Sequence, residues 1–170
     1  AYLRSMWFDG DLSFDNEYHY FYDRGIARAW RFKETFLESE TATGRRINFA
    51  PVGSAILWAP FYVATDAGVR VARSTPYIAS VVYASALYAF LALLLSAHAA
   101  SRLVGNLQAG IGATFAVWIG TPILFYMYLA PGFSHACSAF AAAAFAVLWL
   151  HVRREWSLAG VIALGMCAAV

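Results

Sequence analysis

"PYIASVVYASALYAFLALLLSAHAA", Pro76 to Ala100, contains no Asp, Glu, Lys or Arg. Roughly 20 mostly apolar residues suffice for a helix to cross the hydrocarbon core of a bilayer. This stretch is longer than that. Pro76 suits the first turn of a helix, where a missing N–H costs nothing. We read the segment as a membrane span, and the rest of the chain is read outward from it.

Composition agrees with that reading. Of 170 residues, 61% are hydrophobic and 13% charged, with a mean hydropathy of +0.57. Soluble domains carry about 25% charged residues. Eight of the ten acids, all but Asp66 and Glu155, lie between Asp9 and Glu40. Such a split describes a polar extramembrane part, residues 1–48, followed by a membrane part, residues 49–170. The net charge of +2 is too small for a nucleic-acid partner. Lys33 is the only lysine. Cys137 and Cys167 sit in apolar runs without a CxxC or Cys/His spacing, which argues against a structural metal or a disulfide framework. The chain starts at Ala1 and stops inside the apolar "MCAAV", so we read it as a piece of a longer protein.

Three further apolar segments and the start of a fifth accompany Pro76–Ala100. "FAPVGSAILWAPFYVATDAGV", Phe49 to Val69, is long enough to span. It contains Pro51, Gly53, Pro60 and Asp66, so a broken or re-entrant helix is expected. "LQAGIGATFAVWIGTPILFYMYL", Leu107 to Leu129, carries a Gly-Thr-Pro break at 120–122. "SHACSAFAAAAFAVLWLHV", Ser134 to Val152, is rich in small residues, which let neighbouring backbones approach closely. "SLAGVIALGMCAAV" opens a fifth segment, residues 157–170. The expected fold is an all-α membrane protein: a multi-spanning helix bundle with an N-terminal extramembrane loop.

That loop has a helical pattern of its own. In "DRGIARAWRFKETFLE", Asp23 to Glu38, Ile26, Trp30, Lys33 and Leu37 share a face, with Phe32 and Phe36 alongside and Arg24, Arg28 and Arg31 on the rest. The pattern predicts an interfacial amphipathic helix. "ESETATGRR" after it reads as an exposed loop. His151, Arg153 and Arg154 favour a cytoplasmic turn after the fourth segment. Counting back through full spans puts Arg102 inside but leaves Arg70 and Arg73 outside and the acidic segment in the cytoplasm. If Phe49–Val69 does not fully cross, the acidic segment and the "SHA" turn share the outer face. Both arrangements stay open.

The acids raise the functional question. "SMWFDGDLSFDNEYHYF", residues 5–21, packs Asp9, Asp11, Asp15 and Glu17 into nine positions. A Phe-Asp-Gly-Asp turn exposes Asp9 and Asp11 two residues apart, suited to bind a divalent cation or to accept a proton from a hydroxyl. Asn16, Glu17 and His19 complete the constellation. The alternative is a solvated loop whose acids pair with Arg4, Arg24 and Arg28. A second candidate is "YMYLAPGFSHACSAF". Here His135 begins a helix near Tyr126 and Tyr128, a corner suited to phosphate. The competing reading there is an N-capping Ser134 beside an interfacial histidine. Asp66, inside an apolar segment, is a functional candidate unless Arg70 simply pairs with it.

"YLRSMWFDGDLSFDNEY", "NFAPVGSAILWAPFYVA" and "GTPILFYMYLAPGFSHACSAF", in that order, resemble bacterial multi-spanning proteins of the C-type glycosyltransferase superfamily, in particular the family-39-like, dolichyl-phosphate-mannose-protein mannosyltransferase-like group. The likeness runs along essentially the whole chain and would place residue 1 near the end of a preceding span. It implies a multi-pass protein of the bacterial inner membrane. Such a protein moves a sugar from a polyprenyl-phosphate carrier to an extracytoplasmic acceptor, with an acid of the first external loop as base. Asp9 or Asp11 matches that position. Better-known members carry Asp-Glu where this chain has Asp-Gly-Asp, and Pro-Pro-Leu where it has "APVGSAILW". Those departures leave open which aspartate acts and whether a divalent cation is bound. Arg4, Asn16, Glu17, Asn48, Tyr128 and His135 form the implied substrate-binding set, with Arg45 and Arg46 further cations near a leaving phosphate. A reading from another class is a non-catalytic subunit of a larger membrane complex, with other membrane subunits as partners. In that reading small-residue helices serve as packing surfaces, and His98, His135 or His151 as pigment or haem ligands. A transporter would want paired charges in mid-span, and only Asp66 qualifies.

Overall fold

The computed structural model of the chain describes residues 1–28, 31–72 and 76–169, with backbone alone for 70–72. Among the described residues there are helices and no strand. They run in the order α1 (Tyr2–Arg4), which continues as a π-helical turn over Ser5–Asp9, and α2 (Asp15–Asp23). A second π-helical turn over Lys33–Leu37 follows, then α3 (Val52–Ala72), α4 (Tyr77–Val104) and α5 (Leu107–Gly120). The order closes with α6 (Ile123–Tyr128), α7 (His135–Val152) and α8 (Leu158–Ala169). The chain divides into two compact units, Ala1–Ala55 and Ile56–Val170.

In the second unit the usual arrangement of a water-soluble core is reversed. On α4, Ala84, Ser85, Ala89, Ala92 and Ala99 are buried. Tyr83, Leu87, Phe90 and Leu94 are exposed, Tyr83 by 74%. At about 100° per residue those four fall in one stripe roughly 60° wide. Small side chains therefore face the neighbouring helices and large apolar ones face outward. On α7 likewise, Ala136, Cys137, Ala141 and Ala143 are buried, while Phe145 and Trp149 are exposed. Water would penalise such an apolar exterior heavily, whereas lipid tails would not. Both α4 and α7 are long and apolar enough to cross a membrane.

Helix α4 is the hub of the unit, packing against α5, α6 and α7. Ala89, Met127 and Ala136, from α4, α6 and α7, close around one small core. Closest of all is the approach of α5. A Cβ on Gly110 would lie 2.7 Å from the Ser101 backbone nitrogen and 2.8 Å from the Ala97 carbonyl oxygen. Backbone cannot yield as a flexible side chain does, so only glycine fits. The Gly-Thr-Pro break is present: α5 stops at Gly120, Thr121 is extended, and α6 restarts after Pro122. The residue before proline avoids the helical region, and Thr121 Oγ1 caps the loose end by donating to the Val117 carbonyl at 2.7 Å.

The expected break near Phe49–Val69 does not occur, for α3 runs unbroken from Val52 through Pro60 to Ala72. Proline removes one helical donor and crowds the preceding turn. Pro60 offers no N–H to the Ile56 carbonyl, and the neighbouring helix adds a bond one residue on, where Tyr88 Oη donates to the Leu57 carbonyl at 2.8 Å. Trp58 Nε1 donates to the buried Ser85 Oγ at 3.0 Å, and the Phe61 and Tyr88 rings meet edge to face. Neighbouring side chains that resatisfy loosened backbone are what make proline tolerable inside apolar helices.

The first unit corrects a second expectation. Asp23 to Glu38 does not form one amphipathic helix. α2 ends at Asp23, and Gly25 turns the chain at a φ of +71°. Arg28 then donates to the Tyr22 and Asp23 carbonyls at the end of α2. Trp30 lies outside the described residues. Of the side chains meant for lipid, Leu37, Phe32 and Phe36 instead join a local core with Phe14, Tyr18, Tyr2 and Tyr22, while Ile26 is exposed. Tyr18 meets Phe36 at 5.0 Å and Phe32 at 6.0 Å between ring centroids. Helical spacing marks which residues share a face, but it does not say whether that face meets lipid or its own chain.

Gly110→Ala tests the α4–α5 contact. The added methyl has no room to relax, and overpacking of this kind costs about 1–3 kcal/mol. We expect a lowered thermal midpoint for the detergent-solubilised protein, with Gly112→Ala, which meets nothing within 4 Å, unchanged.

Candidate functional site

The acidic stretch folds around two side chains, Ser5 and Arg4. The π-helical turn closes with the Gly10 N–H on the Ser5 carbonyl at 2.9 Å, and Gly10 takes a φ of +71°, which favours glycine. Ser5 is fully buried, and its Oγ lies 2.8 Å from Asp11 Oδ1, 2.9 Å from the Asp11 carbonyl and 3.1 Å from that of Ser13. The Ser13 N–H donates to the same Asp11 Oδ1 at 3.0 Å, an Asx turn. Asp11 thus staples its own loop.

Asp9 faces a different set of partners. Asn16 Nδ2 donates to Asp9 Oδ2 at 2.9 Å, and Arg4 Nη1 stands 3.7 Å from the same oxygen. Arg4 Nη1 also donates to Glu17 Oε1 at 3.0 Å. Glu17 is fully buried, while the Asp9 side chain is 30% exposed. The guanidinium of Arg4 lies over the Tyr20 ring, 4.6 Å from its centroid. Arg4, Asp9, Asn16 and Glu17 therefore form one cluster, and Asp11 stands apart from it.

Two carboxyls around one arginine divide their charge unequally. Burial, then the neighbouring Asp9, pushes the Glu17 carboxyl above its ordinary range. Hydrogen bonding with Glu17, then with Asn16, holds Asp9 below its own, assisted by Arg4. Glu17 Oε2 is buried without a donor of its own. Of the two carboxyls, Asp9 is held toward its charged form and Glu17 is pushed toward its protonated form.

The remaining acids of the stretch are also engaged. Asp15 Oδ1 accepts from Arg46 Nε at 2.6 Å, and Arg46 Nη1 pairs with Glu40 at 3.2 Å across an isolated antiparallel bridge. His19 lies 4.0 Å from Asp15. Tyr18 Oη donates to the Ile47 carbonyl at 3.0 Å, and burial lifts that phenol to about 12. Asn48 Oδ1 accepts from the Ala50 N–H at 3.1 Å. The density of acids is met by internal partners, and Arg46 serves two of them.

Tyr128 and His135 belong to the second unit. The His135 ring packs on Tyr126 at 4.0 Å between centroids and stacks on Phe133, while Tyr128 is exposed. Ser134 occupies the N-cap position of α7, but its side chain makes no capping bond. Asp66 is buried at 5% exposure and accepts from Tyr77 Oη at 2.6 Å. The Arg70 side chain and Arg73 lie outside the described residues. His98 and His151 line one cavity between α4, α7 and α8.

No family model, curated protein or solved structure matches this chain. Among the described residues, no three His, Cys, Asp or Glu side chains gather as a metal-binding group. Asp9 Oδ2 and Asp11 Oδ1, the oxygens a bridging cation would want, each accept hydrogen bonds from separate donors. Reasoning from sequence missed Ser5, whose burial makes Asp11 structural, and Tyr20, which floors Arg4. Neither stands out in sequence, because each meets its partner, Asp11 for Ser5 and Arg4 for Tyr20, more than one helical turn away.

Two measurements test this geometry. Asp11→Ala removes the acceptor of the Ser13 N–H and leaves the Ser5 hydroxyl only the Asp11 and Ser13 carbonyls, at about 1 kcal/mol. Faster amide exchange over residues 5–18 is the expected readout. For Glu17, the raised value means the folded chain holds the proton more tightly than the unfolded one. That contribution is full below the ordinary 4.5 and is lost as pH rises through the folded value. Asp9 works the other way, contributing above 3.8 and losing it as pH falls through its lowered value. Glu17→Gln still accepts from Arg4 but carries no buried charge. We expect it to increase amide protection of this unit at pH 8 and to leave it unchanged at pH 4.

Proposed function

We propose that the chain is part of a multi-pass protein of the bacterial inner membrane that transfers a sugar from a polyprenyl-phosphate carrier to an extracytoplasmic hydroxyl acceptor, with Asp9 as general base. The observation that carries the reading is the Arg4–Asp9–Asn16–Glu17 cluster. It contains one partly open carboxylate, Asp9, held toward its charged form by a buried acid, an amide and a guanidinium. The apolar exterior of α4 and α7 supports the membrane assignment, and the three motifs named above support the reaction class.

The proposed step balances simply. The acceptor O–H gives its proton to Asp9 as its oxygen attacks the anomeric carbon from the face opposite the carrier. The bond from that carbon to the phosphate oxygen breaks, and its electron pair leaves with the lipid phosphate, inverting the centre. Arg4 stands beside the charged carboxylate and keeps it poised. Asp11 is a loop staple in this scheme, not a second base.

A second reading is a non-catalytic subunit of a larger membrane complex. It is favoured by one observation: Asp11 Oδ1, Asp15 Oδ1 and Glu17 Oε1 already have partners within the chain. Turnover of a polyprenyl-phosphate sugar by the intact protein separates the two. For the transferase, Asp9→Asn lowers turnover by about 10²–10⁴-fold, the usual worth of a general base, and leaves the loop folded. Asp11→Asn lowers stability more than turnover. Unchanged turnover in Asp9→Asn, or none in the wild type with several acceptors, favours the subunit.

A further inference from the structure

The cavity of about 520 Å³ in the second unit has a composition that the proposed reaction does not use. It opens where α4 and α7 both end, with α8 along one side. Arg102, Arg153 and Arg154 line it together with His98 and His151. Leu95, Leu148 and Cys167 make its apolar wall. No acid lines it, and among the described residues none of the three arginines makes an ion pair. Helix C-termini attract cations, but a pair of helix ends needs neither three arginines nor a groove beneath them. Three unneutralised guanidiniums above an apolar trough complement an amphiphile with an anionic head and a hydrocarbon tail.

We propose that this groove seats an anionic phospholipid. Arg102, Arg153 and Arg154 hold its phosphate diester, and one acyl chain lies against Leu95 and Leu148. The inference rests on the membrane assignment above and is independent of the transfer chemistry. Guanidiniums suit the task because their fork of donors matches phosphate oxygens, and basic pockets between membrane helices bind lipid headgroups on this principle. A volume of this size falls within the range of ligand sites, about 300–1,000 Å³. The exposed Trp149 and Trp156 stand nearby in sequence, with ring centroids 5.7 Å apart, the kind of pair that settles at a headgroup boundary.

The test uses the intact protein in neutral detergent with equal amounts of phosphatidylglycerol and phosphatidylcholine, and native mass spectrometry counts the lipid retained. Wild type is expected to prefer phosphatidylglycerol, and Arg102→Gln/Arg154→Gln to lose that preference by roughly ten- to thirtyfold. Arg24→Gln/Lys33→Gln, which removes the same charge from the first unit, is expected to keep it. The proposal is overturned if the groove variant retains the wild-type preference. It is equally overturned if the first-unit variant loses as much, since net charge then suffices. Displacement of the phosphatidylglycerol by excess inorganic phosphate alone would make the groove a phosphate-ion site and overturn it too. Alkaline extraction from phosphatidylcholine vesicles reads the membrane assignment separately. Retention of wild type and both variants upholds it whatever the lipid preference, and release of the wild type overturns both.

Discussion

The close approach of backbones along α4 is the constraint on which the second unit depends. Alanine, serine and glycine at its contact positions bring α5, α6 and α7 near enough for dispersion between main chains to replace the interlocking of large side chains. Leucine, phenylalanine and tyrosine are thereby displaced to the outside. In water that arrangement would be unstable, because the largest apolar areas would stay hydrated. In hydrocarbon it is favourable, because lipid is as good a neighbour for leucine as protein is. Packing and environment are one choice here: the interior is small because the exterior is fatty.

The first unit follows the opposite rule. Its core is aromatic and its surface carries the charge, as in a soluble domain. Phe14, Tyr18 and Leu37 are held from several sides by rings. The polar ties that fix its loops run through Ser5, Arg4, Tyr18 and Arg46, each serving two or more partners or a main-chain carbonyl. Such shared partners make the acid-rich loop a single network, in which the charge state of Glu17 and that of Asp9 are set together.

How much of this was legible in the residues depends on the range of the cause. Helices α4 and α7 follow from uninterrupted apolar length, and the end of α5 from Gly120-Thr121-Pro122, all local signals. Pro60 misled, because the side chains that brace α3 around it, Tyr88 and Ser85, lie on another helix. The segment after Asp23 misled for a related reason: Phe32, Phe36 and Leu37 do share a side, but Gly25 and the Arg28 bonds to the end of α2 turn that side onto Tyr18. Within the acids, sequence gave no ground to rank Asp9 over Asp11. Their difference comes from Ser5 on one side and from Asn16 and Glu17 on the other, a sorting made by a left-handed glycine between two neighbours of equal charge.

The length of α5 carries a consequence of its own. Fourteen residues rise about 21 Å, against roughly 30 Å of hydrocarbon. Were the unit set in a bilayer, α5 would reach its Gly-Thr-Pro break short of the far side of the longer α4. A bilayer around this unit would be expected to thin toward that point. A polar group arriving from that leaflet would then travel a shorter dry path, and the surrounding lipids would tilt to follow the dent.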